Sequence, residues 1–197
     1  MIVFDSLNEP QVIRLLQRGE LGVVPTDTIY GLVARAADRD AVARLYQAKR
    51  REGKPGTILS DSVEQLIELG ISPDALHQIG HVWPNPISVV LPEAADLSYL
   101  DQGKGDVAVR IPDNHVLARL LRQTGPLLST SANLPGEKPA RNIAEAQKYF
   151  GDNVAFYVDS GDLGHRPPST VVRYQYGQLR VLRPGAVTIN SKGEISK

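Results

Sequence analysis

No cysteine occurs in the chain. Disulfide frameworks, thiolate nucleophiles and cysteine-ligated zinc are therefore excluded from any account of what it does. Net charge is missing as well: 22 Lys and Arg balance 22 Asp and Glu. That balance argues against a generally basic nucleic-acid binder, although a local basic patch is compatible with it. Aromatic residues make up only 6% of the chain, which leaves few platforms on which bases could stack. No apolar run approaches the ~20 residues that a membrane-spanning helix needs. The N-terminal MIVFDSLNEP lacks a basic segment leading into a long apolar one, so no signal peptide and a cytoplasmic location are expected. Several catalytic signatures are missing too. There is no GxSxG elbow and no GxxxxGK[ST] loop, and EGKPG has neither the spacing nor the following Ser or Thr. The histidines His77, His81, His115 and His165 show no HExxH pattern; His77 and His81 are spaced to share a helix face, with a structural or surface role expected.

What is present reads as one soluble α/β domain. The 197 residues, 42% hydrophobic and 22% charged, suffice for a substantial core. Asn8 ahead of Glu9-Pro10 predicts a helix N-cap, with Val12, Ile13, Leu15 and Leu16 forming an apolar face up to Gly19. LGVVPTDT (21–28) predicts a buried strand stopped by Pro25. Residues 38–51 predict a helix with Val42, Leu45 and Tyr46 inward and a basic end that the helix dipole favours. GTILS (56–60), ISVVLP (87–92), DVAVRIP (106–112), PLLSTS and VAFYVDSG (154–161) predict strands. Residues 62–70, 114–125 and 143–151 predict helices. STVVRYQ and LRVLRPG predict a hairpin around Tyr176-Gly177. Helices and strands alternate, with several strand-to-strand turns. The expectation is a single domain over 1–187 built on a mixed sheet flanked by helices, then a loose polar tail over 188–197.

The candidate chemistry lies where strands end. PTDTIYG (25–31) follows a strand. Arg110 follows VAV, STSAN (129–133) follows PLL, Ser169 precedes TVV, and Arg183 follows RVL. In an open α/β sheet, ligands bind in the crevice at strand ends. Each cluster also has a plainer reading. PTDTIYG can be a turn with Asp27 as a cap, and STSAN can bond its own backbone. Arg110 can face solvent on the strand side opposite Val107 and Val109, and Arg183 can open a turn. AKRREGKPG (48–56) can be a solvated helix end. The functional reading gives these groups an anionic ligand. Lys49, Arg50, Arg51 and Lys54 place four cations within six positions, and Gly53 and Gly56 let the backbone come close.

Taken in order, VVPTDTIYGLVARA, YQAKRREGKP, WPNPISVVLP, VAVRIPD, PLLSTSANLPGEKPA, STVVR and VLRPGAV resemble the YrdC-like family of threonylcarbamoyl-adenylate synthases. The resemblance covers roughly residues 10–187. It implies a twisted, open mixed β-sheet flanked by helices, with a concave basic cavity. It also implies a reaction in which L-threonine, bicarbonate or CO2, and ATP accompanied by Mg2+ yield threonylcarbamoyl-adenylate and pyrophosphate. The product would pass to the tRNA threonylcarbamoyl transferase machinery. Carried over motif by motif, Thr26, Thr28, Tyr30, Arg110 and Ser169 would line the threonine site, with Arg110 on the carboxylate. Lys49 and Arg51 would hold the ATP phosphates, and Ser129, Ser131, Asn133 and Arg183 would contact the nucleotide. The chain departs from the family pattern in places: no Pro follows Arg51, and the loop is one residue short. Gly56 stands where an apolar residue is usual, Asp27 where Glu is common, and WPNP replaces WPGP. The competing expectations are a YrdC-like module that grips tRNA or double-stranded RNA without making the adenylate, and a carbamoyl-handling enzyme with another acceptor.

Overall fold

A computed structural model of the chain describes residues 1–50, 53–92 and 97–196. Twelve strands are assigned within them. They are β1 Ile2–Phe4, β2 Gly22–Pro25, β3 Tyr30–Arg35, β4 Thr57–Leu59, β5 Ile87–Pro92, β6 Asp106–Arg110, β7 Leu127–Ser131, β8 Phe156–Val158, β9 Thr170–Gln175, β10 Gln178–Arg183, β11 Thr188–Ile189 and β12 Ile195–Ser196. The helices are α1 Pro10–Gln17, α2 Arg39–Lys49, α3 Val63–Leu69, α4 Pro73–Ile79, α5 Ser98–Asp101, α6 His115–Thr124 and α7 Ile143–Phe150. Ten strands form one sheet in the order β1-β8-β2-β3-β7-β4-β6-β5-β9-β10. Four parallel pairs (β1/β8, β2/β8, β4/β6, β5/β9) stand among five antiparallel ones, so the expected mixed sheet is present.

Strand side chains alternate between faces, and the two faces are covered unequally. Val23, Leu32, Ile58, Leu128, Val107, Val109 and Val172 point into the larger core, together with Val42 and Leu45 of α2, Leu66 of α3, Leu76 of α4 and Phe150 of α7. Val24, Val33, Leu59, Leu127 and Phe156 point the other way, into a smaller core shared with Val12 and Leu16 of α1 and with Leu117, Leu120 and Leu121 of α6. Helices α1 and α6 cover only part of this second face. The alternate positions Thr57 and Arg110 continue it beyond the helices and line a cleft.

Local sequence explains most boundaries. Asp38, Ser62, Asn114 and Asn142 cap α2, α3, α6 and α7 through side-chain acceptors, and Gly70 ends α3 in the left-handed conformation. The cap of α1 is Glu9, one residue later than expected; Pro10 occupies the first helical position, where its missing N–H costs nothing. The expected hairpin turns at Tyr176 and Gly177, with φ of 53° and 76°. Tyr176 is 93% exposed, so the ring gains nothing from burial while its backbone sits in a region that disfavours it. Tyr176→Asn, which suits this turn type, is expected to raise stability by ~0.5–1 kcal/mol in chemical denaturation. The tail is not loose. β11 and β12 pair, Ile189 is buried, and the Leu179 amide donates to the Ser191 carbonyl. The apolar Val187, Ile189 and Ile195 tie the segment down.

Candidate active site

A cleft of about 110 Å³ is lined by residues from six segments: the β2–β3 turn with the start of β3, the start of β4 with Pro55-Gly56, Arg110, the end of β7, Pro168-Ser169 and Arg183. Its first wall is the PTDT turn. Thr26 Oγ1 donates to the Ile29 carbonyl at 2.7 Å and accepts from the Thr28 amide at 3.2 Å, which folds the chain back and brings the two threonine hydroxyls to 3.1 Å. Both threonines are buried and line the cleft. Tyr30 also lines it, but its hydroxyl is used elsewhere: it donates to the Gly161 carbonyl and accepts from the Ser160 amide. Burial, foremost, pushes the Tyr30 phenol up to about 12, so it stays protonated and serves to pin the 159–161 loop.

The second wall is STSAN. Ser129, Thr130 and Ser131 line the cleft. Asn133 does not, because its amide closes the loop behind it by donating to the carbonyls of Leu134 and Glu137. Its Oδ1 accepts from Ser131 Oγ and from Lys49 Nζ. Lys49 is 2% exposed. Its ammonium donates to the Ser131 and Asn133 carbonyls as well as to Asn133 Oδ1. A lysine in such a place needs its donors matched, and it braces the wall from behind. Thr130 lines the cleft, and its Oγ1 is buried without a hydrogen-bond partner. Arg51 lies outside the described residues.

Gly56 lines the cleft, and its lack of a side chain has a second consequence. A Cβ there would stand 2.8 Å from the Ser129 carbonyl oxygen and 3.0 Å from Leu128 Cδ1, so glycine lets this segment pass close to β7. Gly56→Ala is expected to cost about 1–3 kcal/mol through that overlap, read as a lower midpoint in thermal unfolding, and to displace Ser129.

The third wall carries the charge. Arg110 is 5% exposed and does not face solvent, because the β2–β3 turn covers it. Its Nη2 lies 3.0 Å from Asp27 Oδ1, and its Nη1 reaches Ser88 Oγ at 3.5 Å. Ser88 and Ser169 hydroxyls meet at 3.1 Å, and Arg183 Nη2 donates to the Ser169 carbonyl at 2.8 Å. Burial lowers the pKa of both arginines from the ordinary guanidinium value, yet each stays protonated at neutral pH. Burial also pushes the Asp27 carboxyl up, against the pull of Arg110.

Eight of the residues expected at the site thus line one cleft: Thr26, Thr28, Tyr30, Arg110, Ser129, Ser131, Ser169 and Arg183. Sequence reasoning missed Asp27 as the partner of Arg110, and also Ser88 and Thr130. Ser88 had a usable signal, a lone hydroxyl inside the apolar ISVVLP run. Among the described residues no group of three His, Cys, Asp or Glu could hold a metal ion. No helix of the described residues is long and apolar enough to cross a membrane.

The Sua5/YciO/YrdC family model, described as "Telomere recombination", matches residues 14–185. A threonylcarbamoyl-AMP synthase of Pseudoalteromonas translucida is 36% identical over 182 residues, which span 89% of this chain and 97% of that one. The threonylcarbamoyl-AMP synthase of Bacillus subtilis is 35% identical over 93% of this chain and 56% of its own length. Among solved structures, P. abyssi Sua5 complexed with L-threonine superposes with a TM-score of 0.83 at 27% identity, over 96% of this chain and 59% of that one. E. coli YciO shares the fold at a TM-score of 0.76. On the match of residues 14–185 and these identities, the chain belongs to the Sua5/YciO/YrdC family.

Proposed function

We propose that the chain is a threonylcarbamoyl-AMP synthase, a nucleotidyltransferase that makes threonylcarbamoyl-adenylate and pyrophosphate from L-threonine, bicarbonate or CO2, and ATP. The product would be passed to a tRNA threonylcarbamoyl transferase. The observation that carries this reading is the composition of one cleft. Arg110 and Arg183 flank Ser169 on one side, and the hydroxyl-rich STSAN wall, braced by Lys49, stands on the other.

The chemistry fits such a site. The threonine amine condenses with bicarbonate to a carbamate, with loss of water. A carbamate oxygen then attacks the α-phosphorus of ATP; the bond to the bridging oxygen breaks and pyrophosphate leaves. Neither step needs a covalent enzyme nucleophile. What is needed is alignment and neutralisation of anionic groups. Arg110 offers a guanidinium to the threonine carboxylate, with Thr26, Thr28 and Ser169 around the amino acid. Ser129, Ser131 and Arg183 face the nucleotide, and Lys49 and Asn133 hold that wall in shape. Mg2+ enters as part of the MgATP substrate, bound through phosphate oxygens and water.

The alternative of an RNA-gripping module is less favoured by the charge pattern. Arg173 is paired with Asp106 through two contacts of 2.9 and 2.8 Å, and Arg122 and Arg141 are paired with Asp61 and Asp162. Guanidinium groups paired in this way outside the cleft are poorly placed to collect phosphates.

Calorimetric titration with L-threonine tests the assignment. Saturable binding at one site, weakened at least tenfold by Ser169→Ala or Thr28→Ala, is expected. Binding that is unaffected by either substitution would move the amino acid elsewhere.

A further inference from the structure

Asp27 has no part in the reaction just described, yet it is the most deeply placed acid beside the cleft. Its side chain is 3% exposed, and it does not line the cleft itself. It stands behind Arg110, presented by the same turn that carries Thr26 and Thr28. Oδ1 lies 3.0 Å from Arg110 Nη2. Arg110 Nε has no aligned hydrogen-bond partner, and its contact with Asp27 is a close ion pair; the backbone N–H groups of Asp27 and Asp113 also act on the Asp27 carboxylate. Ser88 approaches the other terminal nitrogen of Arg110, at 3.5 Å. The guanidinium is therefore fixed from behind and from one side, which leaves its position determined before any ligand arrives.

The charges form a simple sum. Arg183 is close enough to disfavour the charge on Arg110, Asp27 is the acid against Arg110, and Asp113 is a second acid, close enough to act on Asp27. Two cations and two anions balance at this end of the cleft. A zwitterionic amino acid with a single carboxylate keeps that balance, whereas a second carboxylate adds an uncompensated negative charge. Without Asp27 the same end would carry one net positive charge, a match for that second carboxylate.

We propose that Asp27 is a positioning and specificity residue: it fixes the Arg110 guanidinium and cancels one of the two arginine charges, so that the cleft selects an amino acid with one carboxylate over one with two. The proposal rests on the threonine reading above. Removing the charge while keeping the shape should widen selectivity, because a net attraction for a second carboxylate replaces a balanced site.

The full chain with Asp27→Asn and Asp27→Glu tests this. Three readouts are compared after circular dichroism and thermal melts establish folding: calorimetric Kd for L-threonine, Kd for L-aspartate, and the side-chain 15N–1H signals of Arg110. Asp27→Asn is expected to reduce the threonine-over-aspartate preference at least tenfold and to broaden or shift the Arg110 signals. Under turnover it should raise KM for threonine more than it lowers kcat, and Asp27→Glu should recover most of the preference. A folded Asp27→Asn protein with unchanged preference and unchanged Arg110 signals overturns the proposal. If Asp27→Asn does not fold, Asp27→Ser carries the same comparison. If the wild-type chain binds neither amino acid, the threonine reading fails; Arg110 signals unchanged between wild type and variant then overturn the positioning claim, and no response to acetate or malonate overturns the selectivity claim.

Discussion

Lys49→Met is expected to lower stability by about 3 kcal/mol and to raise the KM for ATP. The Lys49 ammonium meets the Ser131 and Asn133 carbonyls and Asn133 Oδ1 at 2.5 to 2.7 Å, inside the protein. Hydrogen bonds with a charged partner each contribute about 1.5–3 kcal/mol, and buried acceptors left without donors add a further cost. Methionine keeps most of the volume and removes every donor. For a chain of this length, ~1 kcal/mol corresponds to about 2–4 °C in Tm, so a fall of roughly 6–12 °C is predicted by differential scanning calorimetry. Lys49→Arg should not restore it, because a planar guanidinium cannot direct its donors at oxygens converging on one point. A melt within about 2 °C of wild type would show that the wall stands without its brace.

Arg110→Ala is expected to have the larger combined effect. It removes the group placed on the threonine carboxylate and strands Asp27 as an unpaired buried acid. Breaking such a pair from one side costs about 3–5 kcal/mol, whereas removing both charges with volume retained is often neutral. Arg110→Met with Asp27→Asn should therefore recover most of the stability and none of the threonine-dependent activity. The pH dependence has a defined sign. Burial already holds the Asp27 carboxyl above its ordinary value, and loss of Arg110 raises it further. A carboxyl whose folded pKa lies above its unfolded one favours folding most below the unfolded value, and that contribution is lost as pH rises through the folded value. The stability gap between Arg110→Ala and wild type should thus be smallest below about pH 4 and widen toward neutrality. A gap that is constant with pH would mean that Asp27 finds another partner in the variant.

The sheet strands that were legible in the sequence are those with a clear boundary: Pro25, Pro92 and the Gly125-Pro126 pair mark β2, β5 and β7. β3 was not anticipated. It is buried on both faces, so Tyr30 to Ala34 show no alternation, and its first residues continue the polar PTDT turn in sequence. β1 is three residues long and mostly exposed at the sheet edge, too short for a pattern to register. At the site, the polar clusters at strand ends pointed to most of the cleft, because several of them recur at strand ends, where an open α/β sheet places its ligand crevice. Two relations escaped. Lys49 was grouped with a basic helix end, although Val42, Leu45 and Lys49 fall on one helical stripe and its inward position could have been read from that spacing. The Asp27–Arg110 pair joins segments far apart in sequence, and only the crossing of β3, β7 and β4 between β2 and β6 sets their distance.

The most direct test of the proposed function is pyrophosphate release by the purified full chain with ATP and Mg2+, omitting L-threonine or bicarbonate in turn. Release that requires both, with threonylcarbamoyl-adenylate found by mass spectrometry, is the predicted result. Release that is independent of threonine and bicarbonate, or no release from folded protein that binds both ATP and threonine, would contradict it.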